Sequence, residues 1–582
     1  MTSTSTSNRA GLAAIGLACV LALALALRLV GLQYGLPSVY NPDEVAIMAR
    51  ALSFAKGTLN PHNFLYPTLY FYLLFAWVAA YLGFVWLTGG VTSVVALQQL
   101  YFTDPTGIYT AGRLLGAVLG TLCVLAVYRL GRGLYDRTVG LVAAFFLAVS
   151  PLAVRASHYV KHDIPATLAV ILAFIAISRV WPRMPRPGRV RHHVIVAGAA
   201  CGAAFSTHFY CIFLALPLAW AIVQRWRDAG WLIVLRQLVT AGLVSAIVFF
   251  ALSPFILAEP IVAWRDVTAN RQIVIDRAVQ SGAFAPARRY LDMLWSESMG
   301  PAVIVLALAG AVATIVKSWK EAVLLLIFPV AFFAFIANTT PASRYLNPAL
   351  PFIALLAARV TAMMFGAPRF PAGVVWLVAA VLGASPLLAS VRSGHFFRTA
   401  DTRALAERFI EERIPAGSTV LVQPYSVILT PSRAGLVEAL TRHLETVEAA
   451  STKFQLQLSL DPYPQPAYRV IYLGRGGLDV DKIYVDPAEL QRFGLEPLRR
   501  LGVTYVVLKR YNTMDPEMIQ LVAELNLHGR LIAAFLPYKL GISEAERARI
   551  APFLHNTDTR IDDALERPGP PVEIWQIDGP DS

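Results

Sequence analysis

The sequence is short of charge. Asp, Glu, Lys and Arg make up 15% of its 582 residues, while 56% are hydrophobic; an ordinary soluble domain carries about 25% charged residues. So few charges cannot cover a water-facing surface around an apolar interior of that size, so the chain is expected to be an integral membrane protein. Cysteine is scarce as well. Cys19, Cys123, Cys201 and Cys211 all fall within apolar runs, which argues against a disulfide framework. The sequence also lacks an internal repeat of about 20–50 residues, a Gly-rich phosphate loop and a Cys-x-x-Cys pair.

The net charge of +13 is unevenly spread. Residues 1–392 hold 29 Lys and Arg against 12 Asp and Glu, whereas 393–582 hold 21 against 25. The basic excess lies between apolar runs, where it orients helices in a bilayer. It does not form a nucleic-acid footprint.

A membrane-spanning helix needs about 20 apolar residues. Runs at 11–32, 108–128, 138–155, 164–180, 232–253, 299–316, 322–338, 346–365 and 372–391 qualify. The first has small residues at Ala22–Ala26, as a signal peptide would. It carries only Arg9 ahead of it, and Arg28 close behind, so an uncleaved span is expected. Arg129, Arg132 and Arg137 mark one cytoplasmic loop, and Arg179, Arg183, Arg186, Arg189 and Arg191 a second. Arg225, Arg227 and Arg236 mark a third, Lys317 and Lys320 a fourth, Arg359 and Arg369 the last.

Two stretches need parity to resolve them. The run 194–223 lies between two cytoplasmic loops, so it is expected to cross twice as short helices turning near Ser206–Tyr210. Backbone at that depth is tolerated only inside protein or against a wet cavity. The uncharged run 67–88 is long enough to span, yet a single crossing there would put Arg129–Arg137 outside. It is expected to be a juxtamembrane or re-entrant helix within a first outer loop, 33–107. The expected architecture is therefore a polytopic α-helical membrane domain of about eleven spans, 1–392, with the N-terminus inside.

Beyond 393 the pattern changes. Asp401–Arg413 reads as an amphipathic helix ended by Pro415-Ala416-Gly417. β-rich runs follow at 418–423, 468–473, 503–508 and 572–577, with helical patterns at 486–500 and 514–527. Alternating strands and helices predict a small α/β domain. An odd number of spans places it outside, in a periplasm or its equivalent, on a chain of the bacterial inner membrane.

Ionisable residues collect on the outer loops. Asp43 and Glu44 follow the first span. His158, Lys161, His162 and Asp163 share a loop of about eight residues, His208 sits at the shallow turn, and Arg344 and Tyr345 precede a late span. Each also has a plain structural explanation. Asp43 and Asp163 suit helix N-termini, the cations suit lipid headgroups, a lone histidine is often packing, and Arg344 suits an interfacial snorkel.

The order of these segments resembles the GT-C superfamily of membrane glycosyltransferases. The resemblance is to the dolichyl-phosphate-mannose–protein mannosyltransferase-like (PMT-like) group, which includes aminoarabinose transferases, and it covers about residues 10–392. It is carried by Asn41-Pro42-Asp43-Glu44, by Asn60–Tyr70, and by Gly112-Arg113-Leu114 with Tyr128–Tyr135. Ser150–Asp163 and Arg344-Tyr345-Leu346 with Pro348 and Pro351 complete it. The chain departs from the family at Leu65 or Tyr66, where the group often has lysine, and at Thr207-His208, where it often has Thr-Lys.

The resemblance implies sugar transfer from a polyprenyl-phosphate donor to a hydroxyl of an extracytoplasmic protein, lipid or glycan, with no cofactor. Asp43 is implied as general base with Glu44 beside it, and Asp163 as the residue orienting the acceptor or its loop. Arg344, His208, Lys161 and Tyr345 are implied at the donor phosphate, and Tyr66, His158 and His162 in the substrate pocket. Membrane lipids would surround the prenyl tail, and neither a nucleotide nor a nucleic acid is needed. A metal-dependent transferase would need acids besides Asp43 and Asp163, and no Asp-x-Asp triplet stands in residues 1–392. A transporter is the main rival. Transporters place ionisable groups near the midplane in paired repeats, whereas here the acids lie at outer loop ends. A membrane assembly protein whose outer domain binds a partner is the other.

Overall fold

The computed structural model describes residues 2–182, 190–279, 284–366, 370–371, 373–477, 479–510, 516–554 and 560–577. Arg183, Arg186, Arg189 and Arg369, which mark expected cytoplasmic loops, lie outside the described residues. Among the described residues, seven helices are long and apolar enough to cross a membrane. An eighth arises if Ala285–Ser298 and Pro301–Lys317, bent by 113°, count as one. Shorter apolar helices occupy Arg137–Ala148, Asp163–Ser178, Val190–Phe205 and Phe209–Val223. With Pro301–Lys317 as a crossing arm and Leu69–Leu87 set aside, these are the eleven expected spans.

The double crossing at 194–223 is built as short helices. Val190–Phe205 stops at Ser206–His208, and a 3₁₀ turn, Phe209–Leu214, leads into Ala215–Val223. Glycine lets the first arm lie close to its neighbour, because a Cβ on Gly198 would sit 2.7 Å from the Ala241 carbonyl oxygen. Sixteen helical residues rise about 24 Å, so the Ser206–His208 turn stands below the level that a full span reaches.

Helix Leu69–Leu87, itself long and apolar enough to cross a membrane, is tied at its start to two other segments. At its start the Leu69 N–H donates to the Ser206 carbonyl at 3.1 Å, and Thr68 Oγ1 donates to the Leu252 carbonyl at 2.8 Å. Trp77 Nε1 bonds the Ala111 carbonyl, in the opening turns of helix Thr106–Leu134. The following helix, Val94–Thr103, packs on Thr452–Leu458 of the C-terminal region. Between residues 254 and 298 the sequence predicts nothing, and the structure has helices Phe255–Ala258, Pro260–Val279 and Ala285–Met293 with a π turn at Leu294–Ser298.

The last span, Val374–Arg398, runs past the expected boundary at 392, and the chain turns only at Thr399–Asp401. The C-terminal region then forms a six-stranded sheet. Its strands are β1 (Thr419–Val422), β2 (Arg469–Leu473), β3 (Ile483–Val485), β4 (Tyr505–Lys509), β5 (Gly529–Phe535) and β6 (Val572–Ile577). Their order is β3-β2-β1-β4-β6-β5. The first four are parallel, and β6 runs antiparallel between β4 and β5. Alternation along the strands gives two apolar faces, with Leu421, Ile471 and Val506 on one and Val420, Val470 and Val507 on the other. Helix Thr402–Arg413 buries Ala406 and Ile410 on the second face. The expected helix at 486–500 is two pieces, Pro487–Phe493 and Glu496–Arg500. They are broken at Gly494, whose φ of +60° ends the first, with Pro497 in the first turn of the second.

Candidate functional site

Helix Pro42–Ser53 sets the first element of the site. Asn41 caps it by accepting the Asp43 N–H at 3.1 Å, and Pro42 takes the first helical position. Asp43 and Glu44 therefore lie in the first turn, where the helix dipole favours acids. Neighbours on a helix point about 100° apart, and the pair is split accordingly. The Asp43 side chain is 43% exposed, whereas Glu44 is fully buried.

Glu44 is committed on both oxygens. Arg113 Nε donates to Oε1 at 3.0 Å and Nη2 to Oε2 at 2.8 Å, and the Val160 N–H donates to Oε1 at 2.9 Å. Arg113 Nη1 bonds the Leu32 and Tyr34 carbonyls. The expectation that Glu44 shares the catalytic position with Asp43 is corrected, since its carboxylate ties the first helix to the loop at 157–163 and has no free face toward a substrate.

That loop delivers Lys161 and Asp163. Lys161 Nζ donates to Asp43 Oδ2 at 2.7 Å, with Arg344 Nη2 3.6 Å from the same oxygen. Burial pushes the Lys161 ammonium down to about 8, and the Arg344 charge adds to the effect, against the pull of Asp43 and Asp163. Asp163 opens helix Asp163–Ser178, buried, with Arg344 and Lys161 as its nearest countercharges. His162 is held by its ring. It stacks on Tyr66 at 4.2 Å with Tyr70 and Phe71 edge-on, and its buried nitrogens have no hydrogen-bond partner.

His158 does not join them. Its ring nitrogens face the Val154 and Val30 carbonyls at 2.9 Å, and the ring packs against Phe397. The expected place in the substrate pocket is therefore corrected to a brace between the loop and the end of the first span. His208 is at the site, held by aromatic rings. It stacks on Tyr210 at 3.7 Å and meets Tyr66 edge-on at 5.2 Å. Its Nδ1 accepts the Tyr210 N–H at 3.4 Å, which needs that nitrogen unprotonated. His208 thus stands in the cluster as part of an aromatic wall with Tyr66 and Tyr210. Arg344 sits in the 3₁₀ segment Ser343–Ala349 with its guanidinium 5.0 Å from the Tyr345 ring centre.

Asp43, Lys161, His162, Asp163, Tyr66, His208, Arg344 and Tyr345 thus come together from five segments. Arg113 and Arg28 are residues to which the sequence reading assigns no role. Both could have been noticed, because an arginine inside a span must find partners. Arg28 reaches Ser157 Oγ and the Ala24 and Ala148 carbonyls, bracing the same loop. Among the described residues, no group of three or more His, Cys, Asp or Glu gathers as metal ligands. The carboxylates here are met by cations.

Beside the shallow turn an apolar cavity of about 410 Å³ opens between helices Val190–Phe205, Ala215–Val223 and Trp231–Leu252. Its walls include Phe205, Cys211, Leu218, Leu238 and Phe249. Phe205 and Cys211 lie three residues either side of His208 in the chain, at the cavity's end of the shallow turn.

Residues 108–257 match the family model described as dolichyl-phosphate-mannose–protein mannosyltransferase. No curated protein matches the chain. Among solved structures, the oligosaccharyltransferase AglB of Archaeoglobus fulgidus, in complex with an inhibitory peptide and a dolichol-phosphate, aligns with TM-score 0.53 at 12% identity. The alignment covers 97% of this chain and 88% of that one. The apo form of the A. fulgidus oligosaccharyltransferase aligns with TM-score 0.52 over the same shares at 12% identity. ArnT of Cupriavidus metallidurans bound to undecaprenyl phosphate aligns with TM-score 0.48 at 13% identity, covering 90% of this chain and 96% of that one. The A. fulgidus alignments show a shared fold that extends through both regions of the chain.

Proposed function

We propose that this chain, a GT-C membrane protein of the PMT-like family, transfers a sugar from a polyprenyl-phosphate donor to a hydroxyl of an acceptor on the outer side of the membrane. The observation that carries it is Asp43. Its half-exposed carboxylate is held by Lys161 at 2.7 Å, with Arg344 3.6 Å from the same oxygen.

The chemistry follows from those placements. The acceptor hydroxyl gives its proton to Asp43 as its oxygen bonds the anomeric carbon. The bond from that carbon to the phosphate oxygen breaks, and both its electrons leave with polyprenyl phosphate. Arg344 and Lys161 hold the charge that gathers on the phosphate. Asp163 keeps those two cations in register, while Tyr66, His162, His208 and Tyr345 form the walls around the sugar. The apolar cavity takes the start of the prenyl chain. Support for a lipid phosphate comes from the family model and from the dolichol-phosphate bound by AglB. The basic clusters favour an inner-membrane protein with its N-terminus in the cytoplasm and the α/β region outside.

The test is an assay of purified protein against a panel of polyprenyl-phosphate sugars, following release of polyprenyl phosphate. Asp43→Asn keeps size and removes the proton acceptor, so turnover should fall by at least about 100-fold, the lower range for general-base catalysis. Donor binding should change little. Full turnover in Asp43→Asn removes the base assignment, and no released polyprenyl phosphate with any donor removes the transferase.

A further inference from the structure

The C-terminal region grips the loop that presents Asp43. Helix Thr402–Arg413 opens that region with three charged residues, Asp401, Arg403 and Glu407, and all three are buried. A helix on the surface of a separate outer domain would turn such residues to water. Buried charges are costly unless paired and hydrogen-bonded; Asp401 and Arg403 pair with each other at 2.7 Å, and further partners of Asp401 and Glu407 come from the first outer loop, more than 360 residues away in the chain.

The contacts are specific. Ser38 Oγ donates to Glu407 Oε2 at 2.6 Å and the Tyr40 hydroxyl donates to the same oxygen at 3.0 Å. The Ile428 N–H takes Oε1 at 2.7 Å. The Tyr34 hydroxyl donates to Asp401 Oδ2 at 3.0 Å, and Arg403 Nη2 donates to the Tyr34 oxygen at 3.1 Å. The Arg403 guanidinium lies 3.9 Å from the centre of the Tyr40 ring. Tyr40 precedes Asn41, whose side chain holds the Asp43 N–H. A direct path therefore runs from Glu407 through Tyr40 and Asn41 to Asp43.

We propose that helix Thr402–Arg413 positions Asp43 for chemistry, with Glu407 as the positioning residue acting through Tyr40. This rests on Asp43 as the catalytic base. The C-terminal region is then part of the catalytic unit. A shift of about 1 Å at a reacting group can cost 100-fold in rate, so slackening this strap should lower turnover while leaving the cations and the apolar cavity, and with them donor affinity, in place.

The grip also depends on pH. Glu407 is faced by the Ser38 and Tyr40 hydroxyls from the strap, by the Ile428 N–H after β1, and by Asp401 and Arg403 on its own helix side. Lys509, at the end of β4, lies within electrostatic reach of Arg403. Burial holds the Glu407 carboxyl up at about 7, against the hydrogen bonds from Ser38, Ile428 and Tyr40. Above that pH the carboxylate accepts both hydroxyls on one oxygen. Below it, the bound proton weakens the acceptor.

The experiment measures kcat and donor KM from pH 5.5 to 8.5 for the full chain, Glu407→Gln, Tyr40→Phe and the double variant. The full chain should lose kcat as pH falls through about 7. Glu407→Gln should show a kcat roughly 10-fold lower at pH 8, no step near pH 7, and donor KM within twofold. Tyr40→Phe keeps the ring beneath Arg403 and should reproduce the kcat loss, and the double variant should be no worse than either single one, as expected for two ends of one interaction. Wild-type kcat and pH profile in a folded Tyr40→Phe protein overturns the proposal, even where Glu407→Gln does not fold. An Asp43→Asn protein with full turnover removes the base assignment instead, which separates the two failures.

Discussion

Glu44 and Arg113 meet as a two-point ion pair, with neither side chain more than 1% exposed. The pair joins helix Pro42–Ser53 to helix Thr106–Leu134, and Glu44 extends the tie to the Val160 N–H in the Lys161–Asp163 loop. Its role is therefore to hold the two segments that bring Asp43 and Lys161 into contact. Breaking a buried pair from one side leaves an uncompensated charge and costs about 3–5 kcal/mol. Arg113→Ala should lower thermal stability in detergent by about that much. Glu44→Gln leaves the buried Arg113 charge uncompensated and sets an amide donor against one of its N–H groups, so it should cost a comparable amount. Unchanged melting in Arg113→Ala would show that the pair does not carry the fold.

Lys161 gives the site an alkaline limit. Its ammonium is charged below about 8 and neutral above it, because burial disfavours the charged form. As pH rises through 8, the proposed donor-phosphate site loses one of its two cations and Asp43 Oδ2 keeps only the Arg344 charge beside it. Donor KM should therefore climb on the alkaline side. Lys161→Arg keeps a charge at all accessible pH values, so its KM should stay flat to pH 9.5, even if kcat suffers from the bulkier group. A KM that rises identically in both proteins would place the titration elsewhere.

How much of this was legible in the sequence differs by element. Spans with long uncharged runs and basic flanks were, because bilayer thickness fixes their length; the paired short helices at 190–223 also followed, from charge parity alone. The α/β region was legible at β1, β2, β4 and β6, whose β-branched and aromatic residues stand out against their flanks. β3, three residues long, and β5, whose burial pattern shows little alternation, gave no period-2 signal. The gathering of Asp43, Lys161, Asp163 and Arg344 was legible because they are ionisable and share outer loops. Glu44 and His158 were not separated from them. A sequence shows that a group is charged or aromatic, but its helical phase decides whether it faces a substrate or a buried arginine. The Glu407 strap was invisible for a different reason: its two halves lie in separate domains by composition, and nothing local marks Ser38 or Tyr40 as partners of a distant helix.

Leu69–Leu87 offers a direct check on topology. Its start bonds the shallow turn, and the helix that follows packs on the C-terminal region. Residues before and after it should therefore face the same side as that region. With Cys19 replaced by serine, single cysteines at Leu59, Gln98 and Lys453 should all react with an impermeant thiol reagent added outside spheroplasts. Reaction at Leu59 and Lys453 with protection at Gln98 until the membrane is opened would make 69–87 a true crossing and change the parity of every later span.

The apolar cavity gives the last prediction. If it holds the prenyl chain near the phosphate, filling it should hurt long-chain donors without disturbing chemistry at the sugar. Ala219 and Ala246 line it from facing helices, and tryptophan at either position would occupy much of the space. The hydrophobic gain from burying chain carbons is about 0.8 kcal/mol per methylene-sized group, so excluding even two or three such groups should raise donor KM roughly 10- to 50-fold. A donor with a prenyl chain short enough to stop at the cavity mouth should lose little, and kcat at saturation should hold for both. Cys201 and Cys211 also line the cavity, which provides a readout without turnover: polyprenyl phosphate should slow their alkylation by a small apolar maleimide in the parent chain and fail to do so in Ala219→Trp. Equal KM increases for short and long donors would mean that tryptophan distorts the shallow turn rather than blocking the chain, and unchanged KM with unprotected cysteines would move the prenyl site to another groove of the bundle.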